Sequence, residues 1–333
     1  MREIGSEYWL EREPGKLSCE RNGCYVLSGR TAFDLIIQDI VKTRPVRNAY
    51  LPAWCCDSMV KPFLSRGIQV VLYDMSYDGS LNYHIDAEKH TDVFFISNYF
   101  GYENTIDKEI IRQFKQRGEI IIYDRTHSFL MDEDYSYADY SFASIRKWMG
   151  VVDGAVVNGV DECVLKACPY LACKEKAMRI KKTFIEADKT IDKENFLALY
   201  AEFGHYLADD FQNYEMDDLS YALYRSEDFT TIRRKRKENA KYLHDHLKHT
   251  TLGVLSDKSV PLFVPVFFKN QEQRNAIRNK LIDNQIYCPI HWPKNKLITP
   301  DMGVNHIFDT ELSLICDQRY GIPEMQRIIE TIQ

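Results

Sequence analysis

Between about residue 25 and residue 160, short apolar runs alternate with amphipathic stretches, and this alternation constrains the fold more than any other feature of the chain. The apolar runs are Asn48–Leu51, Gln69–Tyr73, Val93–Ser97, Glu119–Tyr123, Tyr140–Ala143 and Gly154–Val157. Thr31–Thr43, Asp57–Arg66 and Asp107–Arg117 read as helices, the last with Ile110, Ile111 and Phe114 on one face. Strands written as continuous apolar runs are buried on both faces, and strands that alternate with helices pair in parallel. The pattern therefore predicts an α/β fold with a mostly parallel sheet covered by helices.

Residues 160–227 are rich in charge and read as helical. The pattern then changes. It gives a helix over Thr230–Lys248, a strand over Pro261–Phe267, a helix over Gln271–Asn284, a short strand over Gln285–Pro289 and a closing helix after Pro323. This predicts a large domain over residues 1–227 and a smaller C-terminal α/β domain over 228–333, a division that suits a chain of 333 residues.

Charge and cysteine usage exclude several classes. The formal net charge is -6, which argues against a nucleic-acid partner. The basic run Arg233–Lys237 reads as a solvated helix face. The opening MREIGSEYWLERE lacks the apolar core of a signal peptide, and no apolar stretch approaches the roughly 18 residues of a membrane span. Nine cysteines without a secretion signal point to reduced thiols in a cytoplasmic protein. Cys163, Cys168 and Cys173 recur at five-residue intervals and no CxxC occurs, so no metal site is expected.

Ligands of a doubly wound sheet lie beyond the carboxyl ends of its strands, and three such ends carry chemistry. In "LSGRTAF", Ser28 and Gly29 precede a helix whose first residues are Arg30 and Thr31, and the N–H groups and dipole of its start suit a phosphate, although an ordinary helix cap has the same composition. In "IIIYDRTHSF", Asp124 directly follows apolar strand residues, with His127 three positions on. A carboxylate there needs a cationic or hydrogen-bonding partner, either Arg125, Lys147 or a protonated ring nitrogen. In "YSFASIRKW", Ser144, Arg146 and Lys147 follow a strand. A lysine amine becomes nucleophilic when a neighbouring cation or desolvation lowers its pKa, and Arg146 is such a neighbour. A lysine, a strand-end acid and a phosphate cradle together are what pyridoxal 5'-phosphate requires.

The order and spacing of "SGRTAFDLI", "AYLPAWCCDSM", "LNYHIDAE", "VFFISNYFGY", "IIIYDRTHSF", "YSFASIRKWMGVVDGAVV", "RKENAKYL" and "LIDNQIYCPIHWP" resemble the DegT/DnrJ/EryC1/StrS family of sugar aminotransferases, from about residue 25 to the C-terminus. The resemblance implies the pyridoxal-phosphate-dependent transferase fold type I. It assigns Asp124 to the pyridine nitrogen, His127 to the neighbourhood of the phenolic oxygen, and Gly29, Arg30 and Thr31 to the phosphate. Ser141 or Ser144 would add a hydroxyl to that phosphate, and Lys147 would hold the cofactor covalently. The segment His291–Pro293 is similar to the family's lining of the active-site mouth, although Trp292 also reads as domain packing. "CDQRYG", residues 316–321, reads either as a substrate contact or as a turn.

Three positions depart from the family pattern. Aligned without gaps, Arg146 falls where the family has its lysine, and a shift of one residue brings Lys147 there, with Arg146 then near the phosphate. Cys56 falls at the ring-stacking position, and Trp54, two residues earlier, either takes that role or packs in the core. Asp153-Gly154 stands where the family has two glycines. The resemblance implies a homodimeric aminotransferase using pyridoxal phosphate, a nucleotide-linked keto-sugar and an amino-acid donor. Sugar dehydration, or a binding or regulatory role on the same fold, are the alternatives.

Overall fold

The computed structural model describes residues 2–13, 21–103, 106–187 and 192–333. In chain order the elements are β1 (Ile4–Gly5), β2 (Cys24–Val26), α1 (Gly29–Thr43), β3 (Asn48–Pro52), α2 (Asp57–Leu64), β4 (Gln69–Tyr77), β5 (Leu81–His84), β6 (Val93–Ser97), α3 (Lys108–Gln116), β7 (Ile120–Asp124) and β8 (Tyr140–Ser144). A single 3₁₀ turn, Ile145–Lys147, leads to β9 (Ala155–Asn158), α4 (Leu171–Glu186), α5 (Glu194–Asp209), α6 (Asp218–Arg225) and α7 (Phe229–His246). The chain closes with β10 (Thr250–Thr251), β11 (Val264–Phe267), α8 (Gln271–Asp283), β12 (Ile286–Tyr287), α9 (Val304–Thr310), β13 (Glu311–Leu314) and α10 (Ile322–Ile332).

These elements group into two compact units, Met1–Ser6 with Arg44–Asp139 and Phe229–Gln333, and Glu7–Thr43 with Tyr140–Asp228. One break falls beside the expected boundary at residue 227. The others divide the stretch read as one large domain.

In the first unit, β7, β6, β3 and β4 pair in parallel in that order, and β5 adds an antiparallel edge. Every residue of β6 is buried, as its unbroken apolar run demands. Phe94 stacks on Phe114 of α3 at 4.1 Å, and Asp107 caps that helix by accepting from the Glu109 N–H. Strand β4 runs four residues beyond the expected Tyr73, because its second half pairs with β5. The residues of β5 are only partly buried or exposed, so no apolar run announces them. Strand β7 lies one residue later than read, which makes Asp124 its last residue.

The C-terminal part of this unit holds the antiparallel set β10-β11-β13, and β1 pairs in parallel with β12. Here the solvated-face reading of Arg233–Lys237 is corrected at Arg236, which is 0% exposed. Its guanidinium donates to the Pro261 and Leu262 carbonyls and to the Gln318 side chain. Arg236 lies on the stripe Ile232, Arg236, Asn239, Ala240, Leu243, whose helical spacing was the signal for burial. "CDQRYG" is a structural turn: Asp317 and Arg319 form a buried ion pair at 2.8 Å, and Asn239 donates to three of its carbonyls.

In the second unit, β2, β9 and β8 form an antiparallel set in that order. Helix α1 packs on it, with Phe33 stacked against Phe142. The segment read as helical over 160–227 supplies α4, α5 and α6; its residues 188–191 lie outside the described ones.

Replacing Arg236 by Met leaves two buried carbonyls without their donor. Chemical denaturation is expected to show a loss of about 2–4 kcal/mol. Arg234→Met, whose partner Glu238 is an exposed i,i+4 neighbour, is expected to change stability by less than about 0.5 kcal/mol. Equal effects would contradict the buried role of Arg236.

Candidate active site

The parallel strands of the first unit deliver their carboxyl ends together: Ser97 of β6 pairs with Asp124 of β7, and β3 ends at Pro52 beside them in the strand order. Asp124 is half-buried, and its Oδ1 accepts from the Thr126 N–H at 2.8 Å, which fixes the carboxylate's orientation. His127 is 4% exposed and its Nδ1 accepts from the Phe100 N–H at 3.3 Å. In the neutral ring the proton is therefore on Nε2, a donor position. Phe100 holds φ at 60°, unusual for a bulky residue, and this conformation turns its N–H toward His127. Gly101, at φ 76°, follows because a Cβ there would lie 2.1 Å from the Val260 carbonyl oxygen.

Trp54 is 0% exposed. Its ring stacks on Tyr99 at 4.8 Å, and its Nε1–H donates to the His291 carbonyl. The ring is thus enclosed by protein, with Trp292 edge-on at 6.0 Å. Cys56 stands at the N-terminus of α2 against the Ser58 hydroxyl. His291 is held from two sides. Its N–H donates to Glu311, and its ring Nδ1 lies 2.8 Å from the Ser313 hydroxyl, which itself donates to Glu311. The Ser313 oxygen therefore receives the His291 Nδ1–H. The His127 and His291 rings lie 5.6 Å apart, edge to face. Tyr99 and Phe100 lie in "VFFISNYFGY" but were given no role from sequence, and Glu311 and Ser313 lie in none of the quoted motifs; folding brings all four together.

In the second unit the start of α1 meets the end of β8. Ser28 caps the helix: its hydroxyl accepts from the Thr31 N–H and its carbonyl from the Ala32 N–H. The first N–H groups, at Gly29 and Arg30, are those a helix start turns to an outside acceptor. A Cβ at Gly29 would meet the Ser144 Cβ at 3.2 Å, so glycine allows the strand end to approach the helix start this closely. Phe142 and Ser144 face α1, whereas Ser141 points to the other side of β8 and accepts from the Asn158 amide. Of the two serines read as phosphate ligands, Ser144 is the one at the helix start. The Arg30 guanidinium donates to the Leu207 carbonyl and lies over Phe211, and the Thr31 hydroxyl donates to the Phe211 carbonyl. Those side chains tie α1 to the helical segment, and the backbone donors and Ser144 are the groups at the helix start that a phosphate would meet. The donor set fits a phosphate.

Arg146, in the 3₁₀ turn, shares its surroundings with Glu7, Asp153 and Lys174. Burial pulls its pKa down, opposed by Glu7 and Asp153. Lys174 is 4% exposed and its Nζ lies over the Phe203 ring at 5.1 Å. Burial and then the Arg146 charge lower its pKa to about 8. Asp153 is 0% exposed; its Oδ2 accepts from the Asp217 N–H while Oδ1 has no partner. Burial raises its pKa to about 7. Sequence reading noted Asp153 only as a replaced glycine and missed Lys174, which lies on the buried helical stripe Lys174, Ala177, Met178, Lys181, Phe184. Among the described residues, no cluster of His, Cys, Asp or Glu could hold a metal ion, and no helix is long and apolar enough to cross a membrane.

Neither a family model nor a curated sequence matches the chain. Solved structures do. The aminotransferase PseC of Helicobacter pylori, involved in pseudoaminic acid biosynthesis, superposes with a TM-score of 0.67 at 16% identity, over 99% of this chain and 97% of that one. The sugar aminotransferase CalS13 of Micromonospora echinospora gives 0.61 at 13% identity, covering 93% and 86%. NtdA of Bacillus subtilis, solved with bound cofactor PMP, gives 0.62 at 18% identity, covering 94% and 73%. The fold is that of the pyridoxal-phosphate-dependent transferases of fold type I, as the sequence resemblance implied. At the level of fold, the chain is similar throughout its length to sugar aminotransferases of the DegT/DnrJ/EryC1/StrS type.

The Asp153 carboxyl binds its proton more tightly in the fold than in the unfolded chain. Its contribution is fully present below the unfolded carboxylate pKa, near 4, and is lost as pH rises toward about 7. Asp153→Asn is expected to remove this fall, so that the drop in melting temperature between pH 5 and pH 7.5 is smaller than in the wild type. An unchanged drop would show that Asp153 is ionised throughout.

Proposed function

We propose that the chain is a pyridoxal-phosphate-dependent aminotransferase that acts on a nucleotide-linked keto-sugar with an amino-acid donor, as a cytoplasmic homodimer. The observation that carries this reading is the fold shared with sugar aminotransferases over nearly the whole chain, joined to a carboxylate at the end of a central parallel strand. Pyridoxal phosphate, when bound, supplies an electron sink for the carbanion formed at the donor's α-carbon.

The protein's own residues supply the rest. The Asp124 carboxylate keeps a proton on the ring nitrogen, and a protonated ring withdraws electrons more strongly. His127, with its proton on Nε2, donates to an oxygen on the ring. The Gly29 and Arg30 N–H groups and the Ser144 hydroxyl hold the phosphate, where the dipole of α1 favours negative charge. Lys147 would hold the cofactor covalently, and its amine would move the α-proton as general base and acid. Arg146 neutralises phosphate charge. In this scheme Trp54 supports the cofactor side through Tyr99 rather than by stacking on the ring itself, because its own ring is enclosed. The ring-stacking role and the Ser141 phosphate contact are not part of this reading.

A second reading has its own observation. In the gapless alignment an arginine takes the lysine position, and a guanidinium stays protonated and forms no covalent link to an aldehyde. Sugar dehydration, or a binding role without catalysis, is compatible with that arrangement.

The readings separate in one spectroscopic experiment. The purified protein with pyridoxal phosphate is expected to develop a visible absorption band that Arg146→Ala keeps and Lys147→Ala loses. Glutamate is then expected to bleach the band with release of one keto acid per cofactor, about 10²–10⁴-fold more slowly in Asp124→Asn. No band in the wild type would favour the second reading, dehydration or binding, and a band that glutamate and other amino acids leave unchanged would contradict transamination.

A further inference from the structure

We propose that Cys24 and Cys163 form a reversible disulfide that ties the connection after β9 to the edge strand β2, making this edge of the fold responsive to thiol redox state. The two sulfurs lie 3.3 Å apart although their residues are 139 positions apart in sequence. A disulfide bond is about 2.05 Å long, so little more than 1 Å of closure is needed. The backbone supports that closure. Cys24 is fixed on β2 by its pairing with Val157 of β9. Cys163 lies in the connection between Asn158 and the bridge at Lys166, which has neither helix nor strand and can adjust. Both cysteines are half-buried, so a small oxidant reaches them. The other described cysteines make no sulfur–sulfur contact, and Cys55, Cys288 and Cys316 are buried.

Burial and the adjoining Cys163 push the Cys24 thiol up to about 12, which makes Cys24 a weak nucleophile. The Cys163 thiolate therefore attacks first. With a low-molecular-weight disulfide as oxidant, its sulfur bonds to one sulfur of the reagent and expels the other as a thiolate. Cys24 then loses its proton, attacks the Cys163 sulfur of the mixed disulfide and expels the second reagent thiolate. Two protein thiols are oxidised to one disulfide and the reagent is reduced to two thiols. The bond closes a loop that includes all of α1 and β3 to β9. It also stiffens β2, which runs through Val26 and Leu27 directly into the Ser28–Gly29 helix start.

The test uses the full chain incubated with oxidised glutathione or with dithiothreitol. Oxidation is expected to remove two titratable thiols, to yield a Cys24–Cys163 linked peptide in a non-reducing map, and to raise the melting temperature by a few degrees. Dithiothreitol is expected to reverse all three changes, and the Cys163→Ser and Cys24→Ser variants to show none of them. The wild-type map decides the matter whatever the variants do. Stable glutathione adducts on the separate residues, linkage to a different cysteine, or an unchanged thiol count would overturn the proposal.

Discussion

Burial of both faces of the central parallel strands is the constraint on which the rest of the structure depends. Strands β3, β6 and β7 carry Ala49, Tyr50, Leu51, Phe94, Phe95, Ile121 and Ile122 into positions at or below 3% exposure, so these strands have no room for an ionised side chain along their length. Polar chemistry is displaced to the ends. Asp124 is the last residue of β7, where its carboxylate is half-buried and meets a backbone donor. The same logic brings Ser97, Tyr99 and His127 to that end, and leaves Trp54 and Phe100 to fill the space behind them.

The second unit follows a different logic, because its strands are antiparallel and its helices carry charge. Here ionisable groups are buried and must be balanced. Arg30 and Thr31 spend their side-chain donors on carbonyls of Leu207 and Phe211. Arg146, Lys174 and Asp153 balance one another less completely, since one carboxylate oxygen of Asp153 lacks a partner. The contrast with Arg236 is instructive. That guanidinium is fully buried and three oxygens accept from it, so its burial serves packing rather than chemistry.

The long regular elements were legible because their signal is local. Strand β6 occupies the residues of its apolar run, and α3 is bounded by the capping Asp107. Elements held by pairing rather than by an apolar run were not legible: β5 is half-exposed, and β2 is three residues long. The same distinction applies to the candidate site. Asp124 and His127 were readable because a strand end announces them. The choice between Ser141 and Ser144 depends on which face of β8 meets α1, and in sequence the two serines look alike. Trp54 looked like an available ring, and only its packing against Tyr99 reveals its enclosure. Lys174 was missed although it shares a helical stripe with Ala177, Met178 and Phe184, because a lysine in a charged helix reads as solvated.

The central claim is that this fold anchors pyridoxal phosphate through the lysine beside Arg146. The most direct measurement is borohydride reduction of the cofactor-loaded protein, followed by digestion and mass-spectrometric location of the added pyridoxyl group. The group is expected on Lys147, and its appearance on the buried Lys174, or on no lysine at all, would rule out Lys147 as the anchor.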